Sequence, residues 1–180
     1  MQAWLDTLII LDLRGCRRAA RWHARARVMG FFRRVSFSAD GWFYPLLPLA
    51  FLLRGPHAAL QVLLELALGF ALLVPAFKVA KHAVKRLRPV QGPWGLQQVI
   101  LPGDAFSFPS GHTSSAFLAA SLVASHEPAL GPWAFAWAGL VALSRIVLGV
   151  HFPSDVLAGA AMGLGCGFAA RGLAAGGLLP

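Results

Sequence analysis

Residues 57–87 read HAALQVLLELALGFALLVPAFKVAKHAVKRL, and this stretch decides the fold class. Between Ala58 and Phe77 its only ionisable residue is Glu65. A helix needs about 20 mostly apolar residues to cross a bilayer, so the stretch is expected to be a membrane helix, basic from Lys78 onward. The whole chain carries the same signature: of 180 residues 57% are apolar and 13% charged, with a mean hydropathy of +0.64. Soluble domains carry roughly a quarter charged residues, so bilayer is the expected solvent.

Working outward, GWFYPLLPLAFLL (41–53) is a short apolar span interrupted by Pro45 and Pro48, and is expected to be the first crossing. Arg54-Gly55-Pro56 makes a tight turn into the long helix. Residues 89–109 hold four prolines and three glycines and are expected to form an irregular loop. Three apolar segments follow, at 111–125, 131–149 and 154–175, separated by Glu127-Pro128 and His151-Phe152-Pro153. The expectation is an all-α polytopic membrane bundle of about five transmembrane helices. Gly159, Gly163 and Gly167 recur every four residues in the last segment and should form a close-packing seam, within the chain or between chains; the oligomeric state stays open.

The N-terminal stretch MQAWLDTLIILDLRG is too short and acidic to span, and Asp6 and Asp12 interrupt the apolar core that a cleavable signal needs. It is expected to stay on the mature chain as an interfacial helix. Eight arginines follow between Arg14 and Arg34, interleaved with Trp22, Val28, Met29, Phe31 and Phe32. This is the pattern of a basic amphipathic segment on an anionic membrane surface, and the aromatics argue against a merely solvated face or nucleic-acid binding. The chain therefore divides into a surface segment at 1–40 and a transmembrane domain at 41–180.

The seven acids are Asp6, Asp12, Asp40, Glu65, Asp104, Glu127 and Asp155, and no two lie within five residues of each other. That spacing gives no local sign of a carboxylate-bridged metal site or a paired-carboxylate hydrolase, so metal-free and cofactor-free chemistry is expected. Cys16 and Cys166 have no CxxC partner and read as ordinary thiols. Glu65 lies 16 residues before Lys81, roughly 24 Å along a helix, too far for a shared reaction centre. A distal partner is expected for it.

Three polar clusters interrupt the apolar pattern. Lys78, Lys81, Lys85 and Arg88 fall at i, i+3, i+7 and i+10 and would share one helix face, either snorkelling to lipid headgroups or binding an anion. Pro109-Ser110-Gly111-His112 precedes an apolar run, so Ser110 can cap a helix whose free first-turn N–H groups suit phosphate, with Gly111 allowing close approach. Arg145 ends one apolar segment, and His151 lies four residues before Asp155. A carboxylate so placed can accept Nδ1–H and leave Nε2 as nucleophile or base, although a structural turn contact would look the same. Alternation of the crossings puts all three clusters on one membrane side. Together they make a metal-free phosphoryl-transfer site.

The spacing Lys81-x6-Arg88-Pro89, then Pro109-Ser110-Gly111-His112, then Ser144-Arg145-x5-His151-x3-Asp155, closely resembles the signature of the type 2 phosphatidic acid phosphatase (PAP2) family. All three motifs stand in order without substitution. The resemblance implies that His151 attacks phosphorus to give a phosphohistidine, with Asp155 orienting it and His112 protonating the leaving alkoxide. It implies that Lys81, Arg88, Ser110, Gly111 and Arg145 hold the phosphoryl oxygens. It also implies a lipid phosphate substrate, with membrane lipids as partners: polyprenyl diphosphate, phosphatidylglycerophosphate or phosphatidic acid. The rival readings are phosphotransfer to another acceptor, such as a lipid A headgroup, and a catalytically silent lipid-binding protein. A bacterial inner membrane is expected from the compact size. Family analogy favours a periplasmic site, whereas the arginine segment, which falls on the same side, favours the cytoplasm by the positive-inside rule.

Overall fold

The computed structural model describes residues 2–92, 94, 99–100 and 104–178. Seven α-helices follow one another: α1 (Gln2–Ala20), α2 (Ala26–Phe37), α3 (Leu46–Phe51), α4 (Pro56–Val84), α5 (Gly111–His126), α6 (Gly131–Val147) and α7 (Pro153–Leu173). No strand occurs among the described residues. Pro56, Pro132 and Pro153 each sit in the first turn of a long helix, where the missing N–H costs nothing.

Three helical stretches, Pro56–Val84, Pro128–Val147 and Pro153–Gly176, are long and apolar enough to cross a membrane. The protein is an all-α integral membrane helix bundle. α5, with 16 residues, is about 24 Å long and forms the centre, packed against α4, α6 and α7 with Leu118 and Leu122 fully buried. The expected crossing at 41–53 is broken: two 3-10 turns, Gly41–Phe43 and Leu52–Arg54, flank the six-residue α3. Pro45 and Pro48 explain the interruption, since neither can donate to a helical ladder. The segment leans on α4, with Phe51 packed beside Ala59 and Val62.

α4 ends earlier than its basic pattern suggests. Lys85 adopts a left-handed conformation (φ 48°) and its N–H closes on the Lys81 carbonyl, so the helix stops at Val84. The four cations therefore do not share a face. Lys81 and Arg88 are buried, whereas Lys78 and Lys85 are exposed. Glu65, buried in α4, accepts a 2.7 Å hydrogen bond from His126 Nε2 at the end of α5 remote from Gly111.

The glycine seam lies inside the chain, between α7 and α5. A Cβ at Gly163 would stand 2.1 Å from the Ser114 carbonyl oxygen, one at Gly159 would stand 2.6 Å from that of Ser110, and one at Gly167 would stand 2.1 Å from Ser121 Oγ. Backbone carbonyls thus occupy the volume of two of the missing methyl groups and a serine side chain that of the third. Gly165, on the opposite side, faces nothing within 4 Å.

The N-terminal arm is two helices separated by a turn at residues 21–24. All eight of its arginines are exposed, as are Ile9, Ile10, Trp22 and Phe31. Its inner side packs on α6 and α7, burying Met29 and Phe32 against Val147, Leu148 and Val150.

Gly163→Ala should lower unfolding stability in detergent by at least about 2 kcal/mol, because its methyl meets backbone rather than a movable side chain. Gly165→Ala should be neutral or stabilise by up to about 1 kcal/mol. Equal effects in paired denaturation curves would refute the seam.

Candidate active site

The site forms where the ends of α4, α5, α6 and α7 meet. Short backbone contacts hold the ends together: Ser110 N–H donates to the Asp155 carbonyl at 3.0 Å, and Ser107 N–H to the Arg86 carbonyl at 2.8 Å. Arg88 crosses to the α6–α7 turn, donating to the Val150 carbonyl at 2.7 Å.

His151 is 3% exposed in that turn. Its Nδ1 lies 2.6 Å from the Ser107 carbonyl oxygen, which can only accept, so Nδ1 carries the proton and neutral His151 presents a lone pair at Nε2. Burial, then the positive fields of Arg145 and Arg88, lower its pKa from 6.5 to about 4 against the opposing pull of Asp155. The ring is thus an unprotonated imidazole at neutral pH.

Asp155 stands beside this ring without taking its Nδ1 proton. Its Oδ2 lies 3.7 Å from His151 Nδ1, an ion-pair distance rather than a hydrogen bond. The carboxylate is engaged elsewhere, because Asp155 stands in the first turn of α7 and folds back onto the Phe152 N–H at 2.8 Å. Its other oxygen accepts from Arg86 at 2.8 Å. Arg86 also donates to Asp12 of α1 at 2.7 Å and lies 4.0 Å over the Phe152 ring. Asp12 in turn accepts from Ser154 N–H at 2.9 Å. The fixed dyad read from sequence is therefore a network in which a carbonyl sets the tautomer and a buried carboxylate supplies the field.

His112 stands in the first turn of α5, its Nε2 2.8 Å from Asp40 Oδ1. A carboxylate only accepts, so the Nε2 proton points at Asp40. Ser110 occupies the N-cap position but makes no side-chain cap; its Oγ accepts from Thr113 at 2.9 Å. The first-turn amides of α5 lack intrahelical acceptors by helix geometry. Gly111 serves packing as well as access, since a Cβ there would stand 3.1 Å from the Phe77 ring.

The phosphate-binding cations expected from sequence come together. Arg145, buried at the end of α6, donates to Ser36 of α2, while its buried Nε has no acceptor among the described residues. Lys81 Nζ donates to Asp104 Oδ2 at 2.5 Å, and Arg88 donates to Asp104 Oδ1. Burial alone would raise the Asp104 carboxyl, but Lys81 and Arg88 outweigh it and hold it below the usual carboxylate range. Among the described residues no three His, Cys, Asp or Glu side chains group closely enough to hold a metal ion.

Two cavities flank the His112–Asp40 pair. One, of about 600 Å³, is walled mainly by Leu63, Leu66, Phe70 and Phe77 of α4 with Tyr44 and Pro45, and has Asp40, Asp104 and His112 in its lining. The other, of about 330 Å³, is lined by Arg33, Ser36, Asp40, His112 and Arg145.

Residues 58–174 match the PAP2 superfamily. The chain belongs to that family. It is 36% identical over 109 residues to a lipid A 1-phosphatase of Porphyromonas gingivalis, covering 58% of this chain and 22% of that protein. It is 35% identical over 106 residues to phosphatidylglycerophosphatase B of Bacillus subtilis, covering 53% of this chain and 49% of that one. The chain thus spans half or less of the length of these relatives. The crystal structure of Aquifex aeolicus LpxE superposes with a TM-score of 0.73 at 30% identity, covering 89% of this chain and 94% of that one.

Asp12, Ser36, Asp40, Arg86 and Asp104 were not among the residues singled out from sequence, although each touches one that was or joins its network. Arg86 lies between the two cations of the first motif, and Asp12 interrupts an apolar run. Those positions were the available signals. Asp40 and Ser36 carry none. Arg86→Met would leave the buried Asp12 and Asp155 carboxylates without their shared cation. It should cost about 3 kcal/mol in chemical unfolding, whereas Arg54→Met, which breaks the exposed pair with Glu127, should cost under about 1 kcal/mol.

Proposed function

We propose that this PAP2 protein is a lipid phosphatase working through a phosphohistidine on His151, without metal. The observation that carries the reading is a buried, neutral His151, its tautomer fixed by Ser107, within the field of Arg145 and Arg88. Nε2 attacks phosphorus and forms the N–P bond as the P–O bond to the lipid breaks. The leaving alkoxide takes the Nδ1 proton of His112 in its imidazolium form, whose Nε2–H stays on Asp40; water then cleaves the phosphoenzyme, returning a proton to His112 and freeing inorganic phosphate. Lys81, Arg88 and Arg145, with Ser110 and the Gly111 amide, stabilise the charge that builds on the phosphoryl oxygens. The unused Arg145 Nε–H supports this assignment, because a buried donor without an acceptor is costly unless an anion takes it up.

The lipid part of the substrate is assigned to the 600 Å³ cavity, whose apolar walls meet polar groups at His112. A chain lying there delivers its ester oxygen beside the proposed acid. Relatives named as acting on lipid A, phosphatidylglycerophosphate and a decaprenylphosphoryl sugar agree on a phosphate carried by a membrane lipid. The narrower assignment is a polyprenyl diphosphate or glycerophospholipid monophosphate in a bacterial inner membrane.

His151→Ala should abolish phosphate release from lipid phosphates while the protein still unfolds cooperatively in detergent. EDTA should leave the wild-type rate unchanged; activity lost to EDTA and restored by a divalent cation would overturn the metal-free mechanism. Protonation at about pH 4 removes the nucleophile, so kcat/KM, corrected for the substrate's own ionisation near pH 6, should fall on the acid side only as pH approaches about 4. A limb at 6.5 would show that burial does not hold the ring neutral.

A further inference from the structure

Lys81 and Arg88 are two buried cations of the proposed phosphoryl cradle, with side chains 6% and 2% exposed. Both already spend their charge on one carboxylate. Asp104 places Oδ2 on Lys81 and Oδ1 on Arg88, so its two oxygens bridge the cations as two phosphoryl oxygens would. Its own side chain is 42% exposed and lines the apolar cavity together with Gly111 and His112. The cations are fixed from other directions, Lys81 over the Phe77 ring at 4.4 Å and Arg88 by the Val150 carbonyl at 2.7 Å. Asp104 is thus the half-exposed partner of two immobile charges.

We propose that Asp104 is an internal counter-anion that competes with the phosphoryl group for Lys81 and Arg88. The inference rests on the phosphatase reading above and adds a specificity residue to it. A phosphate dianion and an ionised carboxylate cannot both take the same two donors, since like charges at that spacing repel strongly in a site of reduced dielectric. Phosphate entry therefore requires Asp104 to swing toward solvent, which its exposure allows. When the phosphoenzyme is hydrolysed, the carboxylate returns to the cations and expels inorganic phosphate. The cost is affinity, because binding is weakened by the fraction of molecules in which the cations are released. The gain is escape from product inhibition.

A competitor and a scaffold predict opposite signs. If Asp104 only held Lys81 and Arg88 in place, neutralising it would loosen anion binding; as a competitor, it should tighten it. The test measures inhibition by inorganic phosphate and by orthovanadate on the purified full chain in detergent, hydrolysing a lipid phosphate. Asp104→Asn should be inhibited at about tenfold lower phosphate than wild type, corresponding to a cradle released in about a tenth of wild-type molecules. Inhibition by diacylglycerol, which carries no phosphate, should not change. Asp104→Ser, smaller and uncharged, takes the same measurement if Asp104→Asn fails to fold. Equal or weaker phosphate inhibition in a folded variant overturns the proposal while leaving the phosphatase reading intact. A wild-type protein that neither releases phosphate from lipid phosphates nor responds to either anion overturns the phosphatase reading itself.

Discussion

The contact between α5 and α7 is the constraint on which the rest of the structure depends. Three glycines let the two helices approach until two carbonyl oxygens and a serine hydroxyl of one fill the space of side chains on the other. In a membrane, where lipid is as apolar as leucine, such close packing rather than exclusion of water holds helices together. The seam continues to the catalytic end, where Gly159 lies against Ser110 and the Ser110 amide reaches the Asp155 carbonyl. The start of one helix and the start of the other are thus held in register. His112 and His151 belong to those two starts, so the packing that stabilises the bundle also fixes the spacing between the proposed acid and the proposed nucleophile.

The second organising feature is the distribution of acids. Asp12, Asp40, Asp104 and Asp155 come from four separate stretches of chain and all reach the catalytic end, each facing a cation or a histidine. Glu65 and Glu127 are paired at the other end, with His126 and Arg54. Buried cations demand such compensation, because an unpaired charge at low dielectric is costly. The proposed phosphoryl site would have to be charged enough to attract an anion, yet neutral enough to fold. Among the described residues Arg145 is the one cation of the proposed cradle without an acid partner, and it retains the unused donor.

What the sequence made legible was local. The three motifs depend on fixed spacing within a helix end or a turn, and Lys81, Arg88, His112, Arg145, His151 and Asp155 all lie at one end of the bundle, as alternation of the crossings implies. The misreadings came from geometry that spacing does not encode. A left-handed residue at Lys85 ended α4 before the cationic face was complete, and prolines broke the 41–53 segment into turns. The Asp155 carboxylate was drawn off by Arg86 and its own helix start, which a four-residue spacing to His151 cannot reveal. Asp12, Ser36 and Asp40 reach the site across separations of 72 to 142 residues. No periodicity in the N-terminal arm points to them.

That arm has two contrasting sides. Its arginines face outward with Trp22 and Phe31, the arrangement suited to an anionic lipid surface. Its inward face donates from His23 to the Val147 carbonyl, buries Cys16 near the His151 carbonyl, accepts from Arg145 at Ser36, and holds the His112 proton on Asp40. Arg33 and Arg145 then lie in one cavity lining, contributed by the two sides of the same contact. Since Asp40 belongs both to this polar cavity and to the apolar one, the His112–Asp40 pair marks the boundary between the two. Ser36 of α2 and Asp40 just beyond its end are therefore placed by one short stretch of chain, which sets the partners of Arg145 and of His112 together.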